Sequence, residues 1–241
     1  MTPHLRCPHG HRIPTVRRPG GHGPPDRLSD RREPGELAGK PLDRALLASL
    51  LEQTEPGATV ADLGCGPGHV AARLAGNGAR TVGIDLSAGM VEAGRRRFPQ
   101  VEFRQGDFRE LPAEDGEFAS SVVFYAIIHL DPGDMPRAFE EMYRALRPSG
   151  LLLLSFHVGE EVRHMDEWWG HGVNLAFRFL DPAHVAPLLE AAGFAVEMHM
   201  ERTHYAHEAE TRRCYFLARR LPFGAAEQQR PDDRRPNRSA H

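Results

Sequence analysis

Residues 58–68 read ATVADLGCGPG, and this segment is the clearest indication of the type of fold. The apolar run Ala58 to Leu63 has the composition of a short buried strand and leads directly into a loop in which glycines alternate with other residues. A helical pattern follows from about Pro67 to Asn77. Strand, glycine turn and helix in this order are typical of an α/β sheet, in which the backbone of the turn can lie close to a ligand.

The same alternation continues along the chain on both sides of this unit. A helix is predicted from Lys40-Pro41-Leu42 onward, and further helices over 88–97, 136–147 and 182–192, between strands over 79–85, 101–105, 118–124 and 151–156. Two late strands, 195–200 and 213–219, have no clear helix between them, so we expect them to pair antiparallel at the sheet edge. The pattern predicts an α/β, doubly wound, mostly parallel sheet of seven strands.

Length and composition limit the classes of protein that fit. The chain has 241 residues and a net charge of only −3, which argues against a strongly basic nucleic-acid binder. Its longest apolar run, VVFYAII at 122–128, is far shorter than the roughly 20 residues of a membrane helix. Three scattered cysteines suggest no disulfide framework, and no secretory signal is visible, so we expect a cytoplasmic protein.

The two ends differ in composition from the rest. Residues 1–36 are rich in Arg, Pro, Gly and His, residues 222–241 are polar, and both are predicted to be disordered around a domain at 37–221. That domain holds 19 basic and 26 acidic residues, a net charge of −7, which disfavours nucleic acid as a partner. Cys7, His9 and His11 are zinc-type ligands, but they lack a second pair at finger-like spacing, so we predict no metal site.

Carboxylates and glycines mark the loops that follow the predicted strands. The glycines of Asp62-Leu63-Gly64-Cys65-Gly66-Pro67-Gly68 fall as G-x-G-x-G rather than as the dinucleotide fingerprint G-x-G-x-x-G, and the preceding acid suits an ammonium group. Asp85 ends the second strand, where a carboxylate can accept hydrogen bonds from both hydroxyls of a ribose. Gly106-Asp107-Phe108 follows the third strand and offers an acceptor for an adenine amino group beside an aromatic ring.

Taken in order, DLGCGPG, GIDLS, QGDFRELP, VVFYAIIHL and RALRPSGLLLLSFH carry a family resemblance. Over residues 37–221 the chain resembles the class I, Rossmann-like S-adenosylmethionine-dependent methyltransferases of the small-molecule, type 11/25-like kind. The resemblance implies S-adenosylmethionine as cofactor, S-adenosylhomocysteine as product, and a small organic molecule that is methylated at O, N or C. An NAD-type oxidoreductase fits the glycine spacing and Asp62 less well.

The resemblance also implies a role for each matching residue. Asp62 would meet the methionine ammonium, directly or through water; Gly64, Gly66 and Gly68 would wrap the methionine part; Asp85 would hold the ribose; Leu86 and Met90 would flank the adenine; Asp107 would accept from its amino group with Phe108 beside it; Tyr125 and Ala126 would line the pocket near the methyl group.

The acceptor is expected at the ends of the fourth and fifth strands. His129 and His157 lie there and are candidate bases for removing a proton from the acceptor. Residues 158–180, with Arg163, Trp168, Trp169, Phe177 and Phe179, form either a wall of the acceptor pocket or a hydrophobic plug on the sheet edge. No N/D-P-P-Y/F sequence follows the fourth strand, which argues against methylation of adenine N6 or a glutamine amide.

One departure from the family bears on function. Related enzymes often begin with a tyrosine-bearing helix that covers the cofactor, whereas the first tyrosine of this chain is Tyr125. The sequence therefore suggests that the usual N-terminal lid is missing or replaced, with an open cofactor site. The alternative function is a non-catalytic or inactive relative that binds S-adenosylmethionine.

Overall fold

The computed structural model describes residues 37–168 and 171–222, and for residues 165–175 within these ranges it describes the backbone alone. The described part contains five helices: α1 Pro41–Glu52, α2 His69–Gly76, α3 Ala88–Arg97, α4 Met135–Ala145 and α5 Pro182–Ala191. Its nine strands are β1 Thr59–Leu63, β2 Arg80–Asp85, β3 Glu102–Gln105, β4 Phe118–Phe124, β5 Leu146–Val158, β6 Val162–Trp168, β7 His171–Arg178, β8 Phe194–Arg202 and β9 Arg212–Arg220.

Seven of these strands form one sheet in the order β3-β2-β1-β4-β5-β9-β8. The strands β1 to β5 are mutually parallel, while β9 runs antiparallel to both β5 and β8. This confirms the predicted Rossmann-like doubly wound sheet with an antiparallel edge hairpin. Because β1 pairs with β2 on one side and with β4 on the other, the strand order reverses at β1, and ligands of such sheets bind outside the carboxyl ends of the strands at this point.

Each face of the sheet is covered by helices because their apolar residues recur at helical spacing. Phe139 and Met142 of α4 and Leu189 of α5 lie in the larger buried cluster. Leu47 and Leu50 of α1 belong to a second cluster with Val60 and Val122. Ser87 starts α3 by accepting a hydrogen bond from the amide of Met90. These caps and apolar faces determine where the loops at the carboxyl ends of the strands emerge.

Most predicted boundaries agree with the structure to within two residues, but β5 begins five residues earlier than expected. Leu146 already pairs with Phe118, and a register shift between Phe118 and Ser120 follows before the regular ladder resumes at Leu151. Ser149 has a φ of 64°, as the chain turns through Pro148-Ser149-Gly150. The predicted end of α4 at residue 147 is therefore wrong by two residues.

The segment that interrupts the alternation is a separate two-stranded sheet. β6 and β7 pair antiparallel, with Val162 opposite Arg178 and His164 opposite Ala176. At its base, the amide of Phe179 donates a 2.9 Å hydrogen bond to the carbonyl of Glu161. The chain therefore leaves the main sheet after β5, forms the hairpin and comes back beside the end of β5.

Several predictions lie outside the described residues. These are the disorder of residues 1–36 and of the tail after Pro222, the Cys7-His9-His11 cluster, the N-terminal lid and the role of Trp169. None of the described helices has the length and apolar character needed to span a membrane.

Candidate cofactor and acceptor site

The glycine loop after β1 uses its three glycines for two different purposes. Gly64, Gly66 and Gly68 have φ values of 71°, 52° and 88°, a region that side chains with a Cβ rarely adopt. A Cβ on Gly64 would lie 2.3 Å from Cβ of Ala126, and one on Gly68 would lie 2.5 Å from the Phe103 ring. A Cβ on Gly66 would meet nothing within 4 Å. Gly66 therefore leaves an open stretch of backbone where a ligand can approach.

Asp62 joins the end of β1 to the helix that follows the loop. Its carboxylate is 2 % exposed, and Oδ2 accepts a 2.8 Å hydrogen bond from the amide of Ala71 in the first turn of α2. This anchors the loop between two rigid elements. A buried, fixed negative charge at this position would also favour a ligand ammonium group above the loop.

Asp85, at the end of β2, reaches across to the glycine loop. Its Oδ2 accepts a 2.8 Å hydrogen bond from the amide of Gly66, and its Oδ1 accepts one of 2.8 Å from the amide of Ser87. Leu86, the next residue, is 66 % exposed, which is unusual for a large apolar side chain in this domain. Met90 is half-buried on α3. An exposed apolar side chain beside a carboxylate suits a ligand with a flat ring and a hydroxylated sugar.

Asp107 follows β3 and carries an ion pair that the sequence analysis did not predict. The guanidinium of Arg109 lies 2.6 Å from Oδ2 of Asp107 and 3.1 Å from Oδ2 of Asp134. This contact holds the pKa of Asp107 below its usual range, so the carboxylate stays ionised. The ring of Phe108 comes within 3.0 Å of a Cβ built on Gly64, and thus lies over the glycine loop.

Tyr125 and Ala126 follow β4, next to the same loop. Ala126 is 8 % exposed and packs on Gly64. Tyr125 has a φ of 55°, an uncommon conformation for an aromatic residue, and its amide donates to the carbonyl of Ser155. Its ring lies 5.1 Å from the ring of His157, and the ammonium of Lys40 lies 4.9 Å above it. The residue before α1 therefore reaches the carboxyl end of β4.

The two candidate bases occupy different surroundings. His129 lies on a short 3₁₀ turn at Ile127–His129, where its Nδ1 is 3.1 Å from the carbonyl of Ala176 and its ring is 4.7 Å from that of Phe177 in β7. His157 ends β5, with Nδ1 2.9 Å from Oγ1 of Thr211. Burial, with Arg213 and Lys40 nearby, lowers the pKa of His157 to about 4. Partial burial also lowers the pKa of His129, although the hydrogen bond to the carbonyl of Ala176 acts in the opposite direction, so both rings are neutral near pH 7.

A buried polar cluster lies behind Tyr125 and was missed by the sequence analysis. Asp43 of α1 and Tyr215 of β9 are both fully buried, and the Tyr215 hydroxyl donates a 2.7 Å hydrogen bond to Oδ1 of Asp43. Arg202 donates to the Tyr215 hydroxyl and forms a bidentate pair with Glu208. An acid in the first turn of a helix ordinarily indicates a surface residue that favours the helix dipole, so the sequence held no signal for its burial.

The predicted site residues therefore converge at one end of the sheet. At the point where the strand order reverses, Gly64 packs against Phe108 and Ala126, and Gly66 is hydrogen-bonded to Asp85. Among the described residues, no three His, Cys, Asp or Glu side chains are grouped as metal ligands. The backbone at Gly66 is hydrogen-bonded to the Asp85 carboxylate and is otherwise open, which leaves room for a ligand.

Comparison with known proteins shows which proteins this chain resembles. Residues 60–150 match the family model described as a methyltransferase domain. A probable S-adenosylmethionine-dependent methyltransferase of Mycolicibacterium smegmatis is 33% identical over 160 residues, which are 64% of this chain and 58% of that protein. A demethylmenaquinone methyltransferase of Beutenbergia cavernae is 37% identical over 100 residues, 42% of this chain and 41% of that protein.

Solved structures share the fold. A methyltransferase of Methanosarcina mazei superposes with a TM-score of 0.64 at 17% identity and covers 72% of this chain and 97% of its own. A Burkholderia thailandensis 1,6-didemethyltoxoflavin-N1-methyltransferase, solved with its acceptor and S-adenosylhomocysteine, superposes with a TM-score of 0.61 at 21% identity, covering 78% and 80%.

The sheet order and the glycine loop at its reversal define a Rossmann-like fold. Over residues 60–150 the chain matches the methyltransferase-domain family, and it is similar to S-adenosylmethionine-dependent methyltransferases. It spans about half the length of the curated relatives that it matches.

Proposed function

We propose that this protein transfers a methyl group from S-adenosylmethionine to a small organic acceptor, at O, N or C, by in-line displacement. The observation that carries the proposal is the hydrogen bond between the amide of Gly66 and Asp85. This contact joins the loops after β1 and β2 at the point where the strand order reverses. The backbone of Gly66 is open there, since a Cβ built on it would meet nothing within 4 Å. The named relatives act on small molecules, which supports a small acceptor here.

Different residues bind the methionine, ribose and adenine parts of the cofactor. The buried charge of Asp62 favours the methionine ammonium, and the loop of Gly64, Gly66 and Gly68 receives the methionine part. Asp85 accepts from the ribose, Leu86 and Met90 flank the adenine, and Asp107 accepts from its amino group beside Phe108. Once bound, the sulfonium supplies an activated methyl group, so the protein has mainly to align the acceptor, an effect of at most about 7–11 kcal/mol.

The acceptor then lies at the ends of β4 and β5, under the hairpin. Tyr125 and Ala126 line the approach to the methyl group, and His129 and His157 are candidate bases there. The backbone of β7 already contacts His129 through the carbonyl of Ala176, and the ring of Phe179 lies 5.6 Å from the ring of His157. These contacts support the hairpin as a wall of the acceptor pocket.

Calorimetric titration of S-adenosylhomocysteine into the full chain tests the cofactor site. We expect micromolar binding to the wild type, and at least a tenfold loss, about 1.4 kcal/mol, in Asp85→Ala because a hydrogen-bonding carboxylate is removed. Glu55→Ala is the matched control, since the Glu55 side chain is 77% exposed and pairs with Arg147. A folded wild type that fails to bind would overturn the proposal.

The catalytic part needs a second assay. The wild type is incubated with S-adenosylmethionine and a panel of small hydroxyl, amine and enol compounds, and release of S-adenosylhomocysteine is measured. Turnover with one class identifies the acceptor atom. Binding without turnover on any class would favour the non-catalytic alternative.

A further inference from the structure

Three oxygen atoms form a hydrogen-bonded line from the end of β4 into the interior. The hydroxyl oxygens of Tyr125 and Tyr215 lie 2.9 Å apart, and the Tyr215 hydroxyl lies 2.7 Å from Oδ1 of Asp43. These residues come from the loop after β4, from β9 and from α1, which are distant in sequence. The line begins at a residue beside the glycine loop and ends on a carboxylate.

The direction of the hydrogen bonds follows from the donors available. An ionised carboxylate only accepts, so the single proton of Tyr215 points to Asp43. The Tyr215 oxygen also accepts from Nε of Arg202, at 3.0 Å. In the bond between the two tyrosines, Tyr125 is therefore the donor. Its own oxygen keeps its lone pairs and can accept a proton from another molecule.

Burial increases along the line. Tyr125 is half-buried, whereas Tyr215 and Asp43 have no exposed surface. The outer end is thus the one that a small molecule can reach. The φ of 55° at Tyr125 costs on the order of 1–3 kcal/mol, and such strain is typical of residues held in a functional orientation.

The carboxylate at the inner end of the line can accept a further hydrogen bond. Oδ2 of Asp43 is buried and has no hydrogen-bond partner, which is unfavourable for a structural carboxylate. Burial raises the pKa of Asp43 above its ordinary value and Glu208 adds to the rise, while the hydrogen bond from Tyr215 and the charges of Lys40 and Arg202 act in the opposite direction. A carboxylate in this state is a stronger proton acceptor than one in water.

We propose that Tyr125 is a catalytic residue that takes the proton of a phenol-class hydroxyl acceptor, and that Tyr215 and Asp43 are positioning residues that receive the proton behind it. The inference rests on the proposed methyl transfer. The acceptor class follows from the surroundings of Tyr125. Its ring contacts the ring of His157, which in turn contacts the ring of Phe179, and such a row of rings suits an aromatic acceptor. Lys40 and Arg163 lie 4.9 and 4.6 Å over the rings of Tyr125 and Phe179 and would stabilise a developing phenolate.

The step balances as one displacement with a proton shift. The acceptor oxygen forms a bond to the methyl carbon as the carbon–sulfur bond breaks, and the electron pair of that bond stays on sulfur. The acceptor proton moves to Tyr125, the Tyr125 proton to Tyr215, and the Tyr215 proton to Oδ1 of Asp43. Asp43 ends neutral and the sulfur ends as an uncharged thioether. The proton leaves to solvent by the reverse path after the product dissociates.

The test compares two probe acceptors of different acidity. At a pH where 4-nitrophenol is ionised and phenol is not, only phenol needs a base. Rates of S-adenosylhomocysteine release are measured for the wild type, Tyr125→Phe, Tyr215→Phe and Asp43→Asn. Tyr143→Phe is the matched control, since its hydroxyl donates to the carbonyl of Leu221 far from the line. His129→Gln and His157→Gln test the two histidines in the same assay.

We expect Tyr125→Phe and Asp43→Asn to slow methylation of phenol about 10²-fold or more, and to change the rate with 4-nitrophenol only slightly. Calorimetric affinity for S-adenosylhomocysteine should stay within about twofold of the wild type in Tyr215→Phe, Asp43→Asn and Tyr143→Phe, because these side chains lie outside the proposed cofactor site. This second readout does not depend on turnover and also shows that each variant is folded.

The other outcomes count against the relay. Equal loss on both phenols would indicate a structural role for the three residues, and loss confined to a histidine variant would assign the base to that histidine. Binding of S-adenosylhomocysteine without methylation of either phenol would reject the hydroxyl acceptor but leave the cofactor site intact. Failure of the wild type to bind S-adenosylhomocysteine would reject the methyl-transfer proposal itself.

Discussion

The amide of Gly66 donates a 2.8 Å hydrogen bond to Oδ2 of Asp85, nineteen residues later in the chain. The contact fixes the spacing between the loop after β1 and the end of β2. Because the other carboxylate oxygen accepts from the amide of Ser87, the Asp85 side chain is held by backbone on both sides. A ligand that meets Asp85 therefore finds it already oriented, which lowers the entropic cost of binding.

The glycines of this loop should respond differently to the same substitution. Gly64→Ala places a methyl group 2.3 Å from Cβ of Ala126 on the end of β4, so we expect a loss of at least about 2 kcal/mol of unfolding free energy. Gly66→Ala meets nothing within 4 Å, so its cost is limited to the positive φ, about 1 kcal/mol. Urea denaturation measures both.

The affinity for S-adenosylhomocysteine should depend on Gly66 although the stability depends on it only weakly. In Gly66→Ala the new methyl group stands in the open space over the loop, and we expect weaker binding of S-adenosylhomocysteine by about tenfold or more although the fold is retained. Gly76→Ala is the matched control, since its added methyl group also meets nothing within 4 Å, but in α2 away from the loop. Unchanged affinity in Gly66→Ala would mean that the ligand does not approach this backbone.

Glu141 supports the site from below. Its side chain is 5% exposed, and it pairs with Arg144 and Arg137 while Oε2 accepts a 2.9 Å hydrogen bond from the amide of Leu111, four residues after Asp107. We expect Glu141→Gln to reduce the free energy of unfolding by about 1–3 kcal/mol, because the amide of Leu111 and the partly exposed guanidinium groups of Arg144 and Arg137 lose their charged partner.

The same carboxylate makes the stability depend on pH. Arg144 lowers the pKa of Glu141 below its ordinary value of 4.5, so its contribution is present above that value and is lost as the pH falls through the lower, folded-state pKa. The wild type should therefore lose more stability on acidification than Glu141→Gln. Glu140→Gln, with a side chain that is 60% exposed, serves as the control.

What the sequence could predict here was local. The strand–glycine–helix pattern, the cap at Ser87 and the carboxylates at strand ends depend on neighbouring residues, and the structure confirms the sheet that they imply. The bond between Tyr215 and Asp43 joins residues 172 apart, and the ion pair of Arg109 with Asp134 crosses between loops. Such contacts depend on packing, so no pattern in one sequence indicates them.

His157 gives a second, independent pH dependence. Burial holds its folded-state pKa at about 4, against an ordinary value of 6.5, so between these pH values the unfolded chain binds a proton that the folded chain does not. The free energy of unfolding should therefore be highest above about pH 6.5 and decrease towards pH 4, by at most about 3 kcal/mol from this group.

Denaturation curves of the wild type and His157→Gln across this range isolate the effect. The variant should lose less stability between pH 6.5 and pH 4, and the difference between the two proteins should level off below that range. His184→Gln is the matched control, because the His184 side chain is 83% exposed. Parallel curves for the wild type and His157→Gln would contradict the burial of this ring.

A variant that lacks the hairpin of β6 and β7 tests whether this segment forms part of the acceptor pocket. Glu161 and Phe179 are already joined by a 2.9 Å backbone hydrogen bond, so a short glycine-serine link can replace residues 162–178. If the hairpin is a wall of the acceptor pocket, this variant should bind S-adenosylhomocysteine with an affinity within about threefold of the wild type and lose methyl transfer to its acceptors.

A spectroscopic readout distinguishes this from loss of a hydrophobic plug. The hairpin contributes the carbonyl of Ala176 and the ring of Phe177 to the surroundings of His129, and burial there lowers its pKa. The deletion removes both the partial burial, which lowers the pKa of His129, and the hydrogen bond to Ala176, which raises it; because burial is the larger effect, the pKa measured by NMR titration should rise towards 6.5. If the hairpin is instead a hydrophobic plug on the sheet edge, its deletion should unfold the protein or lower its melting temperature by several degrees. A variant that retained both its fold and its turnover would show that the acceptor binds elsewhere.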